Sequence, residues 1–191
     1  MNYHIDMNDI IDDFDSFCYE EGLISNTRMR AINATTSFND NVELNIYYCP
    51  ENRKYYYTEF LGLSQNMSIE RVGKVIKMFK VYNLDTDNPT IDYIFGENIT
   101  NDEMLRIKEA ARRALNYETS WNIMNNHIFY ILDNFIETDF AKKTKYKFQK
   151  SKIFEFEDYI NQEDLNKYKA KKVKNLDTES IAEILKHKTW D

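Results

Sequence analysis

The sequence predicts an α+β fold, in which a small antiparallel β-sheet packs on a central apolar helical hairpin flanked by short helices. Apolar residues recur at helical spacing through residues 100–140, which predicts the hairpin. Apolar and polar residues alternate through much of residues 29–61, which predicts the sheet. A content of 42% hydrophobic and 30% charged residues is typical of a globular protein. We therefore expect one α+β domain over residues 1–191, or such a domain with residues 155–191 as a helical C-terminal appendage.

Residues 8–21 are predicted to form an amphipathic helix that Asn8 caps and Gly22 ends. Aspartates crowd its first turns, where the helix dipole favours negative charge. We interpret this acidic face as solvated surface, and the alternative is a docking face for a basic partner.

Three strands are expected in the predicted sheet, at residues 29–36, 42–49 and 54–61, with a turn at residues 39–41. The third strand is rich in tyrosine and phenylalanine, which favour strands. Residues 144–154 alternate again, so this segment is expected to join the sheet as one more strand.

The segment between the sheet and the hairpin is predicted to hold a second amphipathic helix, at Ser68–Tyr82. Its apolar residues at positions 69, 72, 75, 76 and 79 follow helical spacing. A loop at residues 85–89 comes next, and a short apolar run at residues 91–95 is predicted to be a strand.

The central hairpin is predicted to begin at Thr100, which forms the pattern of a capping box with Glu103. The apolar stripe shifts its phase between positions 117 and 120, which predicts a break into two helices. Two C-terminal helices are expected at residues 156–171 and 178–188. Five apolar residues in the second half of the hairpin are expected in the core or at an interface: Trp121, Met124, Ile128, Leu132 and Phe135.

Tyrosines gather at the end of the predicted strand hairpin, and two interpretations of them remain open. Cross-strand pairing of aromatic side chains explains them without a function, and we favour this interpretation. Alternatively they form a protein-recognition surface, because tyrosine offers a large contact area at a low entropy cost. The candidate interaction residues are Tyr47, Tyr55, Tyr56 and Tyr57, with Tyr48 beside them.

Charge is distributed unevenly along the chain, with 23 acidic and 12 basic residues in residues 1–140 against 9 acidic and 13 basic in residues 141–191. Lysines interleaved with aromatic residues between positions 142 and 174 are typical of a surface for single-stranded nucleic acid, and equally of a strand edge that charge keeps soluble. We favour the strand edge, because every basic residue there is lysine rather than arginine. The candidate nucleic-acid contacts are Lys142, Lys143, Lys145, Lys147, Lys150 and Lys152.

The sequence contains no recognisable catalytic or cofactor motif. Its glycines, at positions 22, 62, 73 and 96, are too scattered for a P-loop or a dinucleotide fingerprint, since both need clustered glycines. The histidines at positions 4, 127 and 187 are isolated, with no cysteine near them, so no zinc site is predicted. We predict no catalytic residue, no cofactor and no metal. The alternative of a small enzyme with a site assembled from scattered residues stays open.

Cysteine content and hydropathy suggest a cytoplasmic location. Cys18 and Cys49 are too few for a disulfide framework and lie in apolar patterns, so two reduced thiols are expected. The acidic N-terminus lacks an apolar run, and no stretch is long enough to cross a bilayer. Neither a signal peptide nor a membrane segment is therefore expected.

The predicted function is that of a non-enzymatic, protein-binding or regulatory protein, such as an inhibitor or accessory protein. A bias towards Asn, Ile, Lys and Tyr indicates an AT-rich coding sequence, as in a phage or mobile element of a low-GC bacterium. The expected partner is another protein. A homodimer is also expected, because the predicted hairpin carries more apolar surface than its neighbours can cover. The alternative is a nucleic-acid-binding module that uses residues 142–174.

Overall fold

A computed structural model describes most of the chain. Over these residues the chain forms nine β-strands in one mixed sheet, together with four α-helices. The described residues are 27–53, 58–86, 88–117, 123–124, 126–144 and 151–191, and positions 14, 17 and 18.

Strands and helices alternate irregularly along the chain. The strands are β1 (Arg28–Asn33), β2 (Ile46–Pro50), β3 (Phe60–Gln65), β4 (Ser68–Tyr82), β5 (Thr90–Phe95), β6 (His127–Leu132), β7 (Ile136–Lys142), β8 (Lys152–Glu155) and β9 (Thr189–Trp190). The helices are α1 (Phe38–Leu44), α2 (Asn101–Ala114), α3 (Gln162–Lys167) and α4 (Thr178–Leu185). Short 3₁₀ turns lie at Phe156–Asp158 and Val173–Asn175.

Strand β4 is the centre of the sheet, because it is 15 residues long and has partners on both edges. One edge carries β6 and then β7, and the other carries β3 and β5. Strand β2 lies outside β6, while β1 lies outside β3 with β8 beyond it. Two pairs are parallel, β1 with β3 and β7 with β9, and the remaining pairs are antiparallel.

This architecture overturns the predicted fold class, because a nine-stranded mixed sheet replaces a small antiparallel sheet on a central helical hairpin. The helix predicted at Ser68–Tyr82 is strand β4. Its pairing with β3 shifts register between Ile69 and Arg71, and its pairing with β6 shifts register between Val75 and Lys77, with one extra β4 residue at each place. Each such β-bulge inserts a residue and reverses the inward–outward alternation. The inward residues therefore recur at spacings that resemble a helix.

The predicted central hairpin is correct only in its first half. Helix α2 begins with the predicted capping box, in which the Glu103 backbone N–H donates to the Thr100 hydroxyl and the Thr100 N–H donates to the Glu103 carboxylate. The second predicted helix is instead β6 and β7. Every residue of β6 is buried, because apolar residues cover both faces of the strand. A run of that kind has no two-residue period, so periodicity alone cannot distinguish it from a buried helix.

The predicted burial in this segment is confirmed where the structure describes it. Ile128, Leu132 and Phe135 are buried, Met124 is half-buried against the core, and Trp121 lies outside the described residues. Leu105 and Leu115 of the same segment are exposed, and the expected homodimer stays a prediction.

The β structure predicted for residues 29–61 is confirmed in part. Strands β1, β2 and β3 form there, but α1 occupies the predicted turn and the start of the predicted second strand. These strands do not make one hairpin, since β2 pairs with β6 while β1 pairs in parallel with β3.

The predicted N-terminal helix is described at only three positions, Phe14, Phe17 and Cys18, and all three are helical. The predicted strand at residues 144–154 is represented by β8, since residues 145–150 lie outside the described chain.

The C-terminal segment packs on one half of the sheet. The predicted helix at residues 156–171 is reduced to α3 and flanking turns, whereas α4 confirms the second predicted helix. Helix α4 is tied to β7 because the Thr138 hydroxyl donates to the Ala182 carbonyl at 2.8 Å. Its apolar face joins buried side chains of the sheet in one core, which includes Met29, Phe140, Phe154, Leu185 and Trp190.

Helix α2 covers the other half of the sheet and is held to β4 by a shielded ion pair. The Lys77 ammonium lies 2.8 Å from the Glu103 carboxylate, and their side chains are 12% and 7% exposed. Lys77 also donates to the Asn98 carbonyl at 3.0 Å. Burial acts to raise the pKa of Glu103, but hydrogen bonds from Lys77 and Thr100 outweigh it and hold the pKa below 4.5.

The junction between β6 and β7, residues 133–135, passes close over β4 and requires a glycine there. A Cβ atom at Gly73 would lie 2.7 Å from the Asn134 carbonyl oxygen. Asn45, in the left-handed conformation at the end of α1, accepts a hydrogen bond from the Phe135 N–H at 3.0 Å. The junction is therefore fixed from both sides.

The longest described helix, α2, has 14 residues. Within the described part of the chain, no helix has the length and apolar character needed to cross a membrane.

Candidate functional site

The most concentrated charge in the described chain is a run of lysines that we name the lysine segment, residues 167–174. It holds five lysines and no acidic residue: Lys167, Lys169, Lys171, Lys172 and Lys174. All five are exposed. A surface of this kind attracts anionic partners.

The lysine segment is anchored at both ends by buried side chains and helix caps. Before it, α3 begins with a capping box between Asn161 and Asp164, and Leu165 is buried. Within it Val173 is buried, and after it Leu176 is buried in the same core. Because these apolar anchors point inward, the lysines between them point to solvent.

The charges of the lysine segment are largely uncompensated. Among the described residues, Lys169, Lys171, Lys172 and Lys174 make no ion pair, whereas the Lys167 ammonium lies 5.3 Å from the centre of the Tyr168 ring. On the nearest helix, α3, Asp164 already pairs with Lys188 at 2.8 Å, and Glu163 makes no ion pair with a described residue. Burial acts to raise the pKa of Asp164, but hydrogen bonds from Lys188 and the Asn161 backbone hold it below 3.8.

Among the described residues, the aromatic side chains near these lysines in the sequence are buried in the core or packed against it, whereas Tyr146 and Phe148 lie outside the described chain. Phe154, Phe156 and Trp190 are buried, and Tyr159 and Tyr168 pack against the same core. The ring centres of Phe154 and Trp190 are 5.1 Å apart, and those of Phe140 and Tyr159 are 4.9 Å apart. These rings contribute to the core, and the buried ones, Phe154, Phe156 and Trp190, offer no open face on which nucleic-acid bases could stack.

Two of the six lysines that the sequence singled out contact a buried tryptophan. The ammonium groups of Lys142 and Lys152 lie 5.6 Å and 4.9 Å from the centre of the Trp190 ring. The Trp190 indole N–H donates to the Phe140 carbonyl at 2.9 Å, and its strand pairs with β7. Lys143 is exposed next to this pairing. These lysines therefore lie at a sheet edge. This placement favours the interpretation that their charge discourages the edge from pairing with another chain. The candidates Lys145, Lys147 and Lys150 lie outside the described residues.

Of the four candidate tyrosines, the structure describes only Tyr47. Tyr47 is 6% exposed, and its ring centre lies 5.6 Å from that of Tyr130 on the neighbouring strand. Burial raises the pKa of Tyr47 well above its usual value. This placement favours the cross-strand pairing interpretation for Tyr47. Tyr55, Tyr56 and Tyr57 lie outside the described residues.

Tyr130 lies in a buried cluster of side chains that also includes polar groups. The buried Arg30 guanidinium donates to the Tyr130 hydroxyl at 3.3 Å, and Cys49 is fully buried in the same cluster. Burial raises the pKa of the Cys49 thiol, which keeps it protonated and unreactive. Both Cys49 and Cys18 are buried, and neither forms a disulfide with a described residue.

Most ion pairs in the described chain join one structural element to another. Arg113 on α2 bonds to Asp40 and Glu43 on α1 at 3.0 Å and 2.7 Å, and Arg28 on β1 bonds to Glu155 on β8 at 2.5 Å.

Within the described ranges, no three His, Cys, Asp or Glu side chains converge as a metal site would require. No protein-family model, curated protein or solved structure matches this chain.

Proposed function

We propose that the protein functions by binding another protein, and that the lysine segment contacts an acidic surface of that partner. The observation that supports this proposal is a local excess of positive charge on an anchored surface. Four exposed lysines, Lys169, Lys171, Lys172 and Lys174, have no anionic partner among the described residues. Charge of this kind steers association and selects an oppositely charged partner.

An acidic protein fits this surface better than nucleic acid does. Among the described residues, the interleaved aromatic rings pack into or against the core, which does not support base stacking. The surface uses lysine alone, whereas arginine is the residue suited to bidentate phosphate recognition. Residues 1–140, with 23 acidic and 12 basic residues, oppose long-range attraction to a polyanion.

The proposed role is regulatory or accessory, such as inhibition of the bound partner, and does not require catalysis. The proposed location is the cytoplasm, because free cysteines such as Cys18 and Cys49 persist in a reducing compartment.

Affinity capture from a lysate of the native host tests the proposal. Wild-type protein is compared with the variant Lys171→Glu/Lys172→Glu and with a matched control of equal charge change, Lys108→Glu/Lys143→Glu. All four lysines are exposed. The expected result is a protein captured by wild type and control, lost with the segment variant and unaffected by nuclease. Capture by all three proteins alike would contradict the assignment of the surface.

A direct assay separates the nucleic-acid alternative. Fluorescence anisotropy with single-stranded and double-stranded oligonucleotides at physiological salt should show no binding tighter than about 100 µM, the weak end of non-specific affinity. Micromolar binding that weakens steeply with salt and disappears in Lys171→Glu/Lys172→Glu would move the protein into the nucleic-acid-binding class.

A further inference from the structure

Strand β5 is a second exposed feature, separate from the lysine segment. It is the longest strand with a single strand partner among the described residues, with 6 residues paired only to β4. The other edge strands are protected. Strand β2 is buried and ends at Pro50, β8 has 4 residues and carries Lys152, and β9 has 2 residues. Natural proteins protect sheet edges in these ways to prevent pairing with other chains.

Strand β5 is less protected, since its edge carries one charged residue, Asp92, and one register shift against β4 at Met78 and Phe79. Its sequence, Thr90–Phe95, contains neither lysine nor proline and is rich in residues that favour strands. None of its six residues is fully buried. Tyr93 is 47% exposed while its ring rests 6.4 Å from that of Phe79, and Ile76, next to the end of β5, is 38% exposed. Among the described residues the outer edge of β5 therefore has no strand partner, and it carries an anchored aromatic side chain, Tyr93.

The surroundings of β5 are acidic. Between positions 83 and 105 the sequence holds six acidic residues and no lysine or arginine. The carboxylates of Asp85, Asp92 and Glu97 are exposed and make no ion pair with a described residue. The nearest bases on β4 are already engaged, since Lys77 pairs with Glu103 at 2.8 Å and Lys80 pairs with Glu51 at 3.0 Å.

We propose that β5 is a docking strand for an extended, cationic segment of a partner protein. The segment adds to the sheet beside β5, so that backbone hydrogen bonds hold it and its lysine or arginine side chains meet the three carboxylates. An apolar side chain of the segment covers Tyr93.

A second copy of this chain fits the edge less well. Antiparallel pairing of β5 with itself brings the Asp92 carboxylates and the acidic flanks of two copies together, and like charges across strands are destabilising. The lysine segment of another copy is not extended, because it contains the 3₁₀ turn Val173–Asn175 and is anchored at both ends. The charge and geometry of the edge thus favour a foreign segment.

Titration with a defined peptide tests the proposal. The probe is a blocked octapeptide of alternating lysine and valine, followed by calorimetry and by amide hydrogen exchange of the protein. The expected result is saturable binding with protection of the β5 amides. N-methylation of the peptide backbone at alternate residues should weaken binding at least about tenfold, because it removes donors that strand addition needs. A glutamate–valine peptide should not bind.

Charge variants locate the site. Asp92→Lys, with Asp92→Asn as the milder variant, should abolish or weaken binding, whereas the matched control Asp158→Lys, on the C-terminal segment, should bind as wild type does. Circular dichroism establishes that each variant folds. If the N-methylated peptide bound as tightly as the unmethylated one, charge attraction alone would explain the binding. That result would overturn the proposal. Protection of the β5 amides that rises with protein concentration, without peptide, would show that a second copy occupies the edge and would also overturn it.

Discussion

The ion pair between Lys77 and Glu103 provides the sharpest test of how α2 is attached to the sheet. Both side chains are largely shielded from water, at 12% and 7% exposure, and the N–O distance is 2.8 Å. Removing one partner of a buried pair costs about 3–5 kcal/mol, because the other charge stays buried without compensation. Lys77→Met keeps the length of the side chain and removes the charge. We expect Lys77→Met to lower the free energy of unfolding by about 3 kcal/mol at pH 7. This value is at the lower end of that range, because both side chains keep some exposure to water.

Urea unfolding measures this loss, and a double-mutant cycle assigns it to the pair. Glu103→Gln retains an acceptor for the capping box, so the double variant Lys77→Met/Glu103→Gln should be more stable than the sum of the single changes by about 1–3 kcal/mol. The control is Arg112→Met on the same helix. Arg112 pairs with Glu109 at 2.7 Å but is 67% exposed, so this variant should lose less than about 0.5 kcal/mol.

The pH dependence of the same comparison has a defined sign. The folded-state pKa of Glu103 lies below 4.5, so its contribution to stability is present above pH 4.5 and is lost as the pH falls through the folded pKa. The difference in stability between wild type and Lys77→Met should therefore shrink below pH 4.5. A Lys77→Met midpoint no lower than that of Arg112→Met at pH 7 would refute the reasoning.

Three further variants test the packing of the sheet, each by its urea midpoint. Ile128→Ala, at a fully buried position of β6, should lose about 2–5 kcal/mol, and a midpoint near that of wild type would show that β6 is not a core strand. Gly73→Ala should lose about 1–3 kcal/mol, because its Cβ would lie 2.7 Å from the Asn134 carbonyl oxygen. Asn45→Ala should lose about 1–3 kcal/mol, because it leaves the Phe135 N–H without its acceptor. A neutral result at either position would mean that the β6–β7 junction can move away from it.

The exposed Leu105→Ala is the control for these three substitutions. Leu105 is 67% exposed on α2, so its truncation removes little buried surface and should shift the midpoint by less than about 0.5 kcal/mol.

The candidate surfaces were predictable from the sequence to different degrees. The density of lysines was visible, but the sequence drew attention to Lys142–Lys152, two of which contact Trp190 in the structure. The uncompensated charge of Lys169–Lys174 depends on which carboxylates lie near, such as Asp164, and on where Lys188 sits. The edge position of β5 was also invisible, because a strand's own sequence does not state how many neighbours it has.

Local signals were sufficient wherever a single element carried its own information. The capping box of Thr100 and Glu103, the short run of β5 and the amphipathic α4 all rest on interactions within a few residues, and all three elements form. Burial of Ile128 and Leu132 also follows from the sequence alone, because apolar side chains leave water whichever element they belong to.

Tertiary structure decided the rest, above all at β4 and β6. Bulges in β4 reverse the alternation that identifies a strand, and they form because two different strands must be matched along each of its edges. Strand β6 is covered on both faces, so it has no polar side to reveal its period. Parallel pairing of β1 with β3 likewise depends on contacts between residues far apart in sequence. Residue order encodes local preference, but the choice between helix and strand for these apolar segments depends on which distant segments pack against them.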